Sequence, residues 1–176
     1  MVERAHNEQL DRAKWMRLGL LSALVLILLL IVFGNRFYNT IQAPYWAVLS
    51  QAEQKAVEQL DLREVTDVER FVGEEPVSIV YAVNSSGEPI VVWMWNDSIR
   101  VERQADGVSK EALKAAVLAE DSDKQLLRIQ PGTLRDELVW EVFYKKQEDG
   151  GVRHYYDYYR FSDGRKLDTY RLALKM

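Results

Sequence analysis

Chemistry in this chain of 176 residues has few side chains to come from. Its two histidines, His6 and His154, lie on opposite sides of a long apolar run. There is no cysteine, which excludes disulfides, thiolate nucleophiles and Cys-ligated zinc. No G-x-S-x-G elbow, S-x-x-K pair, H-E-x-x-H helix or phosphate-cradling glycine loop occurs. Paired carboxylates, the groups that hydrolyse glycosidic bonds, stand at Glu74–Glu75 and at Glu120, Asp121 and Asp123. The first pair falls in a loop. The second set crowds a helix end without the length or glycine of a calcium loop, and both read as solvated charge. Asn84-Ser85-Ser86 and Asn96-Asp97-Ser98 match the glycosylation pattern, which is short and frequent by chance. The expectation is therefore a non-enzyme with no catalytic residue, no cofactor and no metal.

What remains is aromatic. "HYYDYYRF" runs from His154 to Phe161, and "VVWMW" from Val91 to Trp95. Strand alternation puts Tyr155, Asp157, Tyr159 and Phe161 on one face, and His154, Tyr156, Tyr158 and Arg160 on the other. Val91, Trp93 and Trp95 share a face in the same way. These rings are either the inside of a sheet or a surface on which something stacks. On the second reading Tyr156, Tyr158, Trp93 and Trp95 are the candidate contacts for a partner protein or a glycan.

The elements that position them begin with "LGLLSALVLILLLIVFG", Leu18 to Gly34, a charge-free run of 17 residues. At about 1.5 Å per residue it spans roughly 25 Å, slightly short of a bilayer core of about 30 Å. Trp15, Phe37 and Tyr38 extend it as interfacial anchors, and Arg17 snorkels outward. A cleaved signal peptide has a shorter apolar stretch followed by small residues, whereas here Ala43 precedes Pro44. The reading is an uncleaved single-pass anchor in the cell membrane, with the bilayer as partner of residues 18–34. Arg4, Arg12, Lys14 and Arg17 precede the span and only Arg36 closely follows it. The N-terminus, residues 1–17, is thus expected in the cytoplasm and residues from Asn35 outside. Lys and Arg total 23 against 27 Asp and Glu, a net charge of −4. With no basic stripe to offset that balance, nucleic-acid binding is excluded.

Beyond the anchor one design occurs twice. "PYWAVLSQAEQKAVEQL" is expected to be helical, with Pro44 at its first position and an apolar face of Trp46, Leu49, Ala52, Ala56, Val57 and Leu60. The period then changes to two through "EVTDVERFVG", "VSIVYAVN", "IVVWMW" and "SIRVERQ". A second helix follows, with Ser109 as N-cap, Glu111 in its first turn and an apolar stripe at Leu113, Ala116 and Val117. Strands are then expected at "QLLRIQP", "ELVWEVFYKK", "VRHYYDYYRF" and "RKLDTYRLAL", with turns at "QEDGG" and "SDG". The fold class is α+β: a transmembrane helix, then residues 35–105 and 106–176 as two units, each a helix on a curled antiparallel sheet. Units of roughly 60–70 residues are marginal alone, so the two are expected to pack together.

This layout resembles the TseB-like family of Gram-positive bacteria, a YpmB-type group. The resemblance is carried by "AEQKAVEQ", "RFVGEEPVSIVYAVNSSGEPIVVWMW", "DGVSKEAL", "LVWEVFYKK" and "YYDYYRFSDGRKL", and covers about residues 15–176. The second unit also resembles PepSY-type modules, which end in a strand, a "DG"-like turn and a strand. The resemblance implies a cystatin-like fold in tandem and a membrane-anchored regulator of cell wall elongation that contacts a class B penicillin-binding transpeptidase in peptidoglycan synthesis and cell shape. It carries no catalytic residues. The tyrosine density from Tyr155 to Tyr159 departs from the family pattern. Two alternatives stand beside it: a wall-polymer-binding module using exposed aromatics, and a PepSY-type protease inhibitor or chaperone. The reading as a duplicated, catalytically silent scaffold expects no polar, substrate-sized cleft around which the two halves merge.

Overall fold

The computed structural model describes residues 2–173. The side chains of residues 2–19, Leu21 and Ile41 are outside that description, so the roles read for His6, Trp15 and Arg17 lie outside the described residues, as does Leu174 at the end of the last expected strand. Helix α1 spans Val2–Gln59. Eight strands follow in two groups: β1 Leu62–Val72, β2 Pro76–Asn84, β3 Pro89–Met94 and β4 Ile99–Arg103, then β5 Gln125–Leu134, β6 Glu137–Glu148, β7 Gly151–Arg160 and β8 Lys166–Arg171. Helix α2, Lys110–Glu120, separates the groups.

Residues up to Ala47 form one compact unit and those from Val48 a second. In the first, the expected helix start at Pro44 is corrected: Pro44 lies inside α1. A proline deletes one backbone donor and strains the preceding turn, yet a long helix can absorb that loss. Among the described residues, Ser22–Thr40 is the stretch long and apolar enough to cross a membrane. It continues past Gly34, the residue at which the sequence reading stopped, because the helix does not break there. This helix is compatible with a single-pass anchor.

In the second unit each group of strands makes its own antiparallel meander, in the orders β1-β2-β3-β4 and β5-β6-β7-β8. The first sheet is covered on both faces. Ala52 and Ala56 of α1 pack on Val80, Ala82, Ile90, Val92 and Met94. The opposite face, with Val77, Ile79, Val91 and Trp93, joins the larger core of Trp140, Val142, Tyr144, Tyr159 and Phe161 from the second sheet and Leu113 and Val117 from α2. The halves therefore share one core, as expected of units too small to bury enough apolar area alone.

Two features tie the halves. The Trp93 indole donates to the carbonyl of Gly132 on β5 at 3.1 Å. A Cβ at Gly132 would sit 2.5 Å from the ring of Phe71, so glycine is what lets β1 and β5 close together. The sequence placed α2 correctly: Ser109 caps it, its hydroxyl accepting from the Ala112 N–H at 3.1 Å. Strand β5 runs past Pro131, where it was expected to stop, to a turn at Arg135 and Asp136, both with positive φ (50° and 65°). That geometry matches the right-handed twist of a two-residue hairpin, and β5 is a sheet edge, where proline is tolerated.

Candidate functional site: the outer face of the second sheet

Register decides which rings of β7 meet which residues. Tyr156 pairs with Phe143 on β6 and Tyr170 on β8, while Tyr158 pairs with Glu141 and Asp168. Arg128 and Gln130 of β5 complete these two rows opposite Phe143 and Glu141. The alternate positions, Tyr155, Asp157 and Tyr159, point to the inner face, where Asp157 and Tyr159 are buried. The two-face division read from alternation therefore describes β7. Of these outer-face residues, Tyr158 also packs against the main core.

The outer face is built around one buried acid. Glu141 is 4% exposed and accepts from three donors: Arg128 Nη2 at 2.8 Å, Gln130 Nε2 at 3.2 Å and the Tyr158 hydroxyl at 3.0 Å. Burial and the neighbouring Glu141 carboxylate push the Tyr158 phenol well above its ordinary range, so it stays a donor. Around this hub the rings engage one another. Phe143 stacks on Tyr156 at 4.6 Å and on His154 at 5.7 Å, with the Arg128 guanidinium 5.9 Å from the Phe143 centroid. Tyr158 meets Tyr170 edge-on at 5.6 Å, and Arg135 donates to both Asp168 (3.0 Å) and the Tyr170 hydroxyl (3.3 Å). The result is a half-buried aromatic face edged by the largely exposed Arg128 and Arg135.

The four residues singled out from sequence do not form one surface. Tyr156 and Tyr158 share this face. Trp93 is completely buried and its N–H is engaged, so it is a core residue and not a contact. Trp95 is half-buried at the end of the first sheet, beside Arg100 at 6.0 Å. Sequence reasoning missed Glu141, Phe143 and Tyr170. The signal was available in the "QEDGG" turn: folding the chain back there sets Phe143 against Tyr156. The inner face carries a second saturated acid, Asp157, fully buried and bonded by Lys124 and Lys166. Among the described residues no group of three or more His, Asp or Glu is placed to hold a metal ion.

One expectation is overturned. The halves do meet around a polar hollow, of about 320 Å³, lined by Thr66, Asp67, Glu69 and Tyr81 from the first half and by Ser109, Lys110, Glu111 and Trp140 from the second. Its lining comes from separate segments that each read as ordinary surface, which is why periodicity did not expose it.

Architecture and surface together define the class, a helix-led α+β chain with two antiparallel meanders and a half-buried aromatic face. The chain is also similar to known proteins. Residues 51–94 match the family described as the cell wall elongation regulator TseB-like domain. The chain is 25% identical over 142 residues to the "Probable cell wall elongation regulator TseB" of Bacillus subtilis (strain 168), an alignment covering 76% of this chain and 85% of that protein. It also matches the solved structure of the YpmB protein from Bacillus subtilis with a TM-score of 0.59 and 26% identity, over 70% of this chain and 96% of that one. Together these likenesses support a TseB-like family assignment.

Proposed function

We propose that this chain is a membrane-anchored regulator of cell wall elongation, acting outside the cytoplasm by contact with a wall-synthesis protein, a class B penicillin-binding transpeptidase, and not by catalysis. The regulatory role follows from the family and from the name of the Bacillus subtilis relative. The anchor is the helix around Ser22–Thr40, oriented by the Lys and Arg residues before it, and the two meanders are two cystatin-like units. Tethering at one membrane raises effective concentration, so a modest interface suffices.

The observation that carries the reading is the outer face of the second sheet. Tyrosine, phenylalanine and arginine are the residue types enriched where proteins bind proteins, and here Arg128 and Tyr158 are held by hydrogen bonds to Glu141. A glycan needs free ring faces in a groove with polar groups at its rim. Phe143 stacks on both Tyr156 and His154, which reduces the ring face free for a sugar and favours the protein partner. A photo-cross-linking amino acid in place of Tyr156 or Tyr170 in intact cells is expected to capture a wall-synthesis enzyme, and the same label at exposed Glu74 is not. Capture of none, or equal capture from both faces, refutes the assignment. Binding of purified wall polymer to the full chain in detergent would favour the glycan reading instead.

A further inference from the structure

The two meanders leave four strands with an unpaired edge: β1, β4, β5 and β8. An open edge offers a row of backbone donors and acceptors to any other strand, and folds usually blunt it. Three of these edges are blunted. Strand β1 carries two register shifts, between Leu62 and Glu64 and between Val65 and Asp67, and the Asp67 carboxylate occupies the Val68 N–H at 2.8 Å. Strand β5 has a shift between Leu126 and Arg128, and Pro131 lacks a donor. Strand β8 is shifted where Tyr158 and Tyr159 meet it, and Asp168 accepts from the Thr169 N–H at 2.9 Å. Strand β4 has none of these devices. It pairs with β3 without a shift from Ile99 to Arg103 and contains no proline. Among the described residues no side chain bonds to its backbone.

Register fixes which of its groups are open. The Trp95 N–H donates to the Ser98 carbonyl across the β3–β4 turn, which makes these two a hydrogen-bonded pair. Such pairs alternate in an antiparallel ladder. Arg100 and Glu102 therefore bond to Trp93 and Val91, while Ile99 and Val101 direct N–H and C=O outward and Arg103 its N–H. Val101 is 43% exposed. Neither Arg100 nor Glu102 has an ion pair in its own chain. The Arg100 guanidinium donates once, to the Asp136 carbonyl at 2.9 Å, and among the described residues the Glu102 carboxylate has no hydrogen-bond partner.

We propose that β4 is a self-pairing edge, through which two copies of this chain join antiparallel about a two-fold axis at Val101, making their four-stranded first sheets continuous. The Val101 N–H of each copy donates to the Val101 carbonyl of the other, and the Arg103 N–H of each to the Ile99 carbonyl of the other. Ile-Arg-Val-Glu-Arg is self-complementary in this register, as a two-fold contact requires. Arg100 of each copy faces Glu102 of the other, so both unpaired charges find opposite partners, which stabilises a ladder. A slip of two residues sets Arg100 against Arg100 or Glu102 against Glu102. A slip of one opposes outward-facing backbone to inward-facing backbone. The register is thus specified by the strand itself. The inference uses neither the aromatic face of the second sheet nor any wall-synthesis partner.

The chain has no cysteine, so Val101→Cys introduces a single thiol at the axis. Facing residues of a hydrogen-bonded pair have Cα atoms about 5.5 Å apart, within reach of a disulfide. Under mild oxidation of the full chain in detergent micelles, Val101→Cys should form a linked dimer at least about tenfold faster than Glu74→Cys on an exposed loop. Adding Arg100→Glu sets carboxylate opposite carboxylate and should slow trapping by about fivefold or more. Adding Glu102→Arg as well restores opposite charges across the axis, and with them the rate. The bond from Arg100 to Asp136 stays lost in that double swap, so a merely structural role for Arg100 would not be rescued. Equal trapping at positions 101 and 74, or no rescue by the double swap, overturns the proposal. Sedimentation equilibrium of the native chain in density-matched detergent keeps the test open even if a cysteine variant does not fold. It should give a concentration-dependent dimer that Arg100→Glu weakens, and a monomer up to about 0.1 mM overturns the proposal equally.

Discussion

Asp157→Asn tests the inner face of the second sheet most sharply. Asp157 is fully buried and receives hydrogen bonds from Thr169 Oγ1 (2.6 Å), Lys166 Nζ (2.9 Å), Lys124 Nζ (3.1 Å), the Tyr159 hydroxyl (3.3 Å) and the Tyr144 hydroxyl (3.4 Å). Asparagine keeps one acceptor oxygen but removes the charge. Lys166, 37% exposed, can turn to water. Lys124, 5% exposed, cannot, and keeps the Glu120 carboxylate at 3.7 Å and the face of the Tyr144 ring at 4.8 Å. Stranding one buried cation in this way costs about 3–5 kcal/mol, and the remaining Glu120 contact places this variant near 3. At roughly 4 °C per kcal/mol, the melting temperature should fall by about 12 °C. Burial pushes the Asp157 carboxyl up, but the bonds from Thr169, Lys166 and Lys124 outweigh it and hold the group below the ordinary carboxylate range. A depressed carboxyl contributes stability above its unfolded pKa of about 4 and loses it as pH falls through the folded value, so the native chain should lose stability below about pH 4 more steeply than the variant. Thermal unfolding of the full chain in detergent, followed by near-ultraviolet circular dichroism between pH 3 and 7, measures both. A loss under about 1 kcal/mol at pH 7, or identical acid slopes, refutes the reasoning.

Other positions give independent checks. Trp93→Phe removes the donor to Gly132 and leaves a void in the shared core, so unfolding stability should drop by about 2–4 kcal/mol, read from denaturant midpoints. Gly132→Ala drives a Cβ to within 2.5 Å of the Phe71 ring, and overpacking of about 1–3 kcal/mol should appear in the same assay. Asp136→Gly relieves a positive φ in the β5–β6 turn and should stabilise by a few tenths to 1 kcal/mol. Glu69→Gln behaves oppositely to Asp157→Asn: a raised carboxyl favours the fold at low pH and loses that contribution as pH rises through its folded value. The variant should therefore match or exceed native stability at pH 7, with a flatter slope between pH 4 and 7.

How much of this was written in the sequence depends on the range of the interaction. Ser109, Leu113 and Val117 announced α2 because capping and a 3.6-residue stripe are local. Alternation separated Tyr156 and Tyr158 from Asp157 and Tyr159 for the same reason. Trp93 was misjudged because a strand's two faces look alike until one knows that the first sheet is covered on both. The β5–β6 turn went unseen because Arg135 and Asp136 occupy positive φ without the usual glycine. The hollow was invisible for a topological reason: Glu69, Tyr81 and Trp140 lie far apart in the chain, and only the shared core brings them together.

Three partly or fully buried carboxylates differ in how far the fold compensates their burial. Glu141 has three donors and Asp157 has five, so each is an acid whose burial the fold has compensated locally. Glu69 has Tyr81, a nearby like charge in Asp67 and one oxygen left bare. A glutamine there would keep the bond from Tyr81, avoid the repulsion and fill the same volume, so packing alone does not call for an acid. Glu69 is therefore an acid whose burial the fold compensates less completely than that of Glu141 or Asp157, and it costs stability at neutral pH.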